Sequence, residues 1–267
     1  MHIKKRNVLR GVLTTTGILS LGVCLGAQKT ATSPTLSESL VQLRAQQWTD
    51  RAKAYERLSS DVTALSNPKV QESLLDLLDR ENQLIESTLR DSQEKVGVSA
   101  KYGEDYGEYV GELGETVDSF ANWNDPHQVC IFVHESYNPE SRFAAKVASN
   151  AKVAAPCLLQ MYRSDVGLIR ASAAAVLAQV LGKSGEELDS AMALTVRQTV
   201  LAALRDPVEV VRSSTVRELG AFGREDMIPA LQQVAESDSA VSRTRGTFWI
   251  RQDAVKAIAE IRKRSAS

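Results

Sequence analysis

Ala202-Ala203-Leu204-Arg205-Asp206-Pro207-Val208-Glu209-Val210-Val211-Arg212-Ser213-Ser214-Thr215-Val216-Arg217-Glu218-Leu219-Gly220 holds the end of one helix, a turn and a whole second helix. Asp206 suits the N-cap of the second helix and Pro207 its first turn, where no backbone N–H is needed. Val208, Val211, Thr215, Val216 and Leu219 recur at helical spacing, and Gly220 supplies a stop. The phrase has an upstream copy, Ser164-Asp165-Val166-Gly167-Leu168-Ile169-Arg170-Ala171-Ser172-Ala173-Ala174-Ala175-Val176-Leu177, and a looser one running from Ile250-Arg251 to Ile261. Recurrence at roughly forty residues predicts a stacked array of helix pairs.

The rest of the chain agrees with an all-α class. Of 267 residues, 43% are apolar and 24% charged, ordinary for a folded domain, and aromatic content is only 5%. A formal net charge of −1 predicts no general attraction to polyanions. Helical patterns run over Leu36–Gln47, from Thr49 with Ala52, Tyr55 and Leu58 inward and Arg51 and Arg57 outward, and from Asn67-Pro68 to about Glu94. Asp125-Pro126, Asn138-Pro139 and Pro156 each open a further helix, and Ser184-Gly185-Glu186-Glu187 has the spacing of a capping box. Residues 36–150 form a divergent N-terminal part and residues 151–267 the clear repeats.

Tyr102 to Leu113 is the least repeat-like stretch. On a helix, Gly103, Gly107 and Gly111 share one row, with Tyr102, Tyr106, Tyr109 and Leu113 beside it. Each glycine weakens a helix by about 1 kcal/mol relative to alanine, which close approach of a neighbouring helix would offset. The alternative is a Tyr-lined acidic docking surface.

Met1 to Arg10 is basic and Gly11 to Ala27 a short apolar run, the pattern of an export signal over residues 1–27 with a polar linker over 28–35. Lys5-Arg6-Asn7-Val8-Leu9-Arg10 resembles the twin-arginine export motif, with lysine in the first position. Leu21-Gly22-Val23-Cys24 resembles a lipobox, so a lipid anchor at Cys24 and an uncleaved anchor both stand beside simple cleavage. The signal predicts a periplasmic or secreted protein, without a membrane span once the signal is removed.

The helix, the Asp-Pro turn and the internal arginine together resemble a HEAT-repeat protein, most clearly over residues 156–261. The resemblance implies an α-solenoid of stacked antiparallel helix pairs in which Asp165, Arg170, Asp206, Pro207, Arg212 and Arg251 tie neighbouring repeats together. It also implies a concave binding face built from Arg170–Leu181, Arg212–Gly220 and Arg251–Ile261, and hence a non-enzymatic scaffold for a protein or peptide partner.

Other chemistry is sparse. His127, Cys130 and His134 lie along one helix, but an apolar one, and a structural zinc site needs about four ligands. Some HEAT-like hydroxylases bind iron through paired His-Glu motifs, of which only His134-Glu135 is present. No phosphate loop, serine-hydrolase pattern or dinucleotide fingerprint occurs, no cofactor is called for, and no basic stripe with interleaved aromatics invites nucleic acid. Cys130 and Cys157 fall near the starts of helices one pair apart, where two buried thiols and a disulfide are both open. An enzyme reading would place its site at Tyr106, His134 and Glu135; a purely structural envelope component would have no exposed groove.

Overall fold

The computed structural model describes residues 34–91, 101–135, 142–242 and 246–266. The signal 1–27 with Cys24, nearly all of the linker, the Asn138-Pro139 helix start, and Arg243 and Arg245 lie outside the described residues.

The described residues hold thirteen α-helices, two 3-10 turns and no strand. They are α1 (Leu36–Gln42), α2 (Trp48–Ser59), α3 (Val62–Leu65), α4 (Pro68–Asp91), α5 (Glu104–Asp118), α6 (Pro126–Glu135) and α7 (Arg142–Ser149). Then come α8 (Ala151–Met161), α9 (Gly167–Lys183), α10 (Ser190–Ala203), α11 (Glu209–Phe222), α12 (Ile228–Ser237) and α13 (Trp249–Ser265). The all-α expectation therefore describes the molecule.

Several boundaries differ from those the sequence suggests, each for a local reason. Asp206 does not cap α11: its Oδ1 accepts the Val208 N–H at 2.9 Å, tightening the turn, and the helix begins at Glu209 with Val208 extended as N-cap. Pro207 stays in that turn rather than in the first helical turn. Pro156 sits inside α8, where buried Ala154 and Ala155 before it and Cys157 and Leu158 after it hold the helix through the lost bond. Gly185–Glu187 forms a 3-10 turn, and α10 starts later, capped by Asp189, which accepts the Met192 N–H at 2.8 Å.

From Thr35 onward the chain is one compact unit. α9, α11 and α13 lie successively against one another, with α8 and α10 on α9 and α12 on α13. Upstream, α4 packs on α5 and α6, α6 on α7 and α8, and α7 on α9. One continuous apolar core runs from Leu43 to Ile261. Ala171 to Val180 of α9 are all buried, as expected of a helix enclosed by its neighbours, and its buried Gln179 donates to Glu218 at 3.0 Å. α4 is fixed to α6 by buried Asn82, whose Nδ2 donates to the Ile131 carbonyl at 3.0 Å.

Glycine acts where helices come closest. A Cβ at Gly182 of α9 would fall 2.1 Å from the Phe222 carbonyl oxygen of α11. The glycines of α5 behave differently: Gly107 and Gly111 face open space, and a Cβ at either would meet no atom within 4 Å. The close approach expected for that row does not occur, because Tyr106, Tyr109, Val110, Leu113 and Val117 carry the packing.

Candidate functional site

Three arginines hold their surroundings in one posture. Arg170 Nη1 donates to the carbonyls of Ser164 and Asp165, six and five residues earlier, while Nε and Nη2 grip both oxygens of Asp206 at 2.9 and 3.0 Å. Arg212 Nη1 donates to Asp206 and Pro207, and Nε and Nη2 grip Asp238 at 2.6 and 3.2 Å. Arg51 Nη1 donates to Ala45 and Gln46, and Nε and Nη2 grip Glu81 at 2.6 and 2.8 Å. Each arginine is the fourth residue of its helix, so its guanidinium reaches back over the preceding turn and sideways to the next carboxylate. Asp165 is not the counterpart of Asp206: Ser164 is, its Oγ accepting the Val166 N–H at 3.2 Å, while exposed Asp165 meets Arg90 at 3.0 Å. Arg251 donates Nε to the Asp238 carbonyl at 2.6 Å and lies 4.0 Å from the Phe248 ring.

The electrostatics follow from these contacts. Burial pushes the Asp206 carboxyl up, but hydrogen bonds from Arg170 and the Val208 N–H, with the charges of Arg170 and Arg212, hold it below the usual range. Asp238 is held down in the same way by Arg212 and the Ala240 N–H against the effect of burial.

Arg51 corrects the outward assignment: it is 7% exposed, and its partner Glu81 is fully buried. Glu81 also accepts the hydroxyls of Tyr106 at 2.9 Å and Tyr109 at 3.1 Å, and the Trp48 ring packs on both tyrosines. Burial first, then the Glu81 charge, pushes both phenols well above their ordinary range, so they stay neutral donors. The signal for this cluster was an arginine at the fourth helical position, obscured because no aspartate precedes it by six residues.

This arrangement separates the residues of the enzyme reading. Tyr106 spends its hydroxyl on Glu81 and has no exposed surface, whereas His134 faces Glu86 with Nδ1 3.8 Å from the carboxylate. The side chain of Glu135 lies outside the described residues. His127 is exposed on the first turn of α6, and Cys130 is joined to Cys157 in a disulfide linking α6 to α8, Cα to Cα 5.7 Å. The bond takes up the thiol that a metal would use. Among the described residues no three His, Cys, Asp or Glu side chains are grouped to hold a metal ion.

The face expected from the second helices is open only in part. α9 contributes little to it, since Ala171 to Val180 are buried and only its two ends reach the surface. Between α11 and α13 runs a groove of about 470 Å³ lined by Val216, Arg217, Ala221, Asp253, Lys256 and Glu260. Its floor forms where Gly220 lets α13 approach, a Cβ there falling 3.2 Å from Ala257. Arg264 closes one end, donating to the carbonyls of Gly220 and Gly223 and so satisfying the last turn of α11. Small apolar residues between charges of both signs can hold a polypeptide, and the lining carries no histidine, cysteine, serine or threonine.

Neither the family models nor the curated proteins compared with this chain match it. No helix among the described residues is long and apolar enough to cross a membrane.

Proposed function

We propose that the chain is an exported, non-enzymatic HEAT-like α-solenoid that binds a protein or peptide partner along the groove between α11 and α13. The observation that carries this reading is the groove lining, apolar at the floor and charged in both signs at the rim. The shared posture of Arg51, Arg170 and Arg212 supports the repeat architecture, since an array needs an equivalent brace at each step. Export rests on basic Met1–Arg10 followed by apolar Gly11–Ala27. The test is retention of a partner from a native envelope extract on the immobilised chain from residue 36 onward. A partner held by that chain and lost with Arg217→Glu and Lys256→Glu supports the proposal; a partner held equally by both sinks it.

A further inference from the structure

Along α9, Arg170, Ala174, Ala178 and Gly182 stand four residues apart on one row. That row faces α11: Ala174 packs with Val211, and Gly182 touches the Phe222 backbone. Along α11 the corresponding row is Arg212, Val216 and Gly220, and it faces α13 at Ala257. Each row begins with an arginine whose carboxylate partner comes from a following turn, Asp206 for Arg170 and Asp238 for Arg212. Ala174, Ala178 and Val216 are each 0% exposed beneath the helix that follows.

α13 carries this row a third time, as Arg251, Val255 and Ala259. It lies on the side away from α11, because residues two apart on a helix point about 200° apart and Ala257 is the one that meets Gly220. Among the described residues no helix packs on this side. Val255 is 58% exposed, Ala259 is exposed, and Phe248 beside Arg251 is 42% exposed. Among the described residues Arg251 forms no ion pair; its contacts are the Asp238 carbonyl and the Phe248 ring.

We infer that the outer row of α13 is a docking surface for a helical segment of another protein whose leading turn carries a carboxylate. The α9–α11 and α11–α13 interfaces set the geometry, and this surface continues them by one step. Charge sets the partner's chemistry: Arg251 and exposed Arg262 on the same side favour an acid. The same charges disfavour a second copy of this chain. Joining two such rows in parallel places Arg251 against Arg251, and joining them antiparallel places it against the Arg262-Lys263 end. The surface is distinct from the groove, which lies on the opposite side of α13, so either can fail without the other.

A defined probe tests the inference: a fluorescein-labelled synthetic peptide of residues 204–222, stapled between positions 217 and 221. It carries Asp206 and the helix that the α9 row accepts. Fluorescence anisotropy with the full chain is expected to show saturable binding, weakened about tenfold or more by Asp206→Asn in the peptide, or by Arg251→Ala or Val255→Glu in the protein. Val255 sits at the outer surface, so Val255→Glu should leave circular dichroism and melting unchanged; Arg251→Ala also gives up the bond to the Asp238 carbonyl, and an unchanged helical circular dichroism spectrum would confirm that it folds. Lys256→Glu, in the groove, should leave this binding unaltered. Absence of saturable binding, or binding indifferent to Arg251 and Val255, overturns the inference. A dimer seen by sedimentation equilibrium and dissociated by Val255→Glu overturns it too, giving the face to a second copy.

Discussion

Arg51 grips Glu81 in the posture in which Arg212 grips Asp238, with Nη1 on the carbonyls six and five residues back and Nε and Nη2 on the carboxylate. The acids differ in type and in helical setting. Glu81 stands in the middle of α4, while Asp238 follows the end of α12. A shared posture with unlike partners means that the arginine's place on its own helix sets the geometry.

Removing one member of these pairs should cost far more than removing both. Asp238→Ala leaves Arg212 half-sequestered without its counter-charge and is expected to destabilise the fold by about 3 kcal/mol. Asp238→Leu with Arg212→Met should recover much of that loss. Urea denaturation of the single and double variants measures the difference; equal losses in both would refute the bracing role.

At the Arg51–Glu81 cluster, Glu81→Leu removes the acceptor of Arg51 and of two tyrosine hydroxyls at once. A loss of about 4 kcal/mol is expected, together with a changed near-ultraviolet circular dichroism signal from Trp48, Tyr106 and Tyr109. An unchanged aromatic signal would show that these rings are not ordered by Glu81.

The disulfide closes a stretch of 27 residues between α6 and α8. By chain entropy it should contribute about 3 kcal/mol, lost on reduction or in Cys130→Ser with Cys157→Ser. Urea midpoints that coincide with and without reductant would exclude that contribution.

Stability should hold over a window of pH set by two kinds of group. Asp206 and Asp238 are held below their ordinary value of 3.8, so their contribution is complete above that value and disappears as pH falls through their lower folded values. Tyr106 and Tyr109 are raised above their ordinary 10.0, so the fold should weaken above that pH, where the unfolded phenols release protons and the folded ones do not. Melting temperature measured against pH is expected to drop at both ends, and Asp206→Asn with Asp238→Asn should flatten the acid limb.

Two glycine substitutions should have opposite signs. Gly111→Ala adds a methyl group into open space on a helix and should stabilise by about 1 kcal/mol. Gly182→Ala drives a Cβ against the Phe222 carbonyl and should destabilise by about 2 kcal/mol or more, since backbone must move. Thermal melts of the two variants settle the matter, and a neutral Gly182→Ala would count against the close contact of α9 and α11.

What was legible in the sequence follows from local spacing. The apolar period gave the helices, and the recurring phrase put Arg170 and Arg212 at matching places in two of them. The same reading placed Arg51 outward, because on an isolated helix it falls among charged neighbours; its acceptor lies thirty residues away, beyond any local pattern.

The sequence by itself determined the all-helical class, since periodicity, turn residues and low strand propensity act within one or two turns of chain. Only the tertiary structure decided which arginines are bonded to which acids, that α9 is enclosed while α13 leaves a matching row open, and that Cys130 meets Cys157. Those outcomes depend on which helices become neighbours, and neighbourhood is fixed by the packing of the whole core.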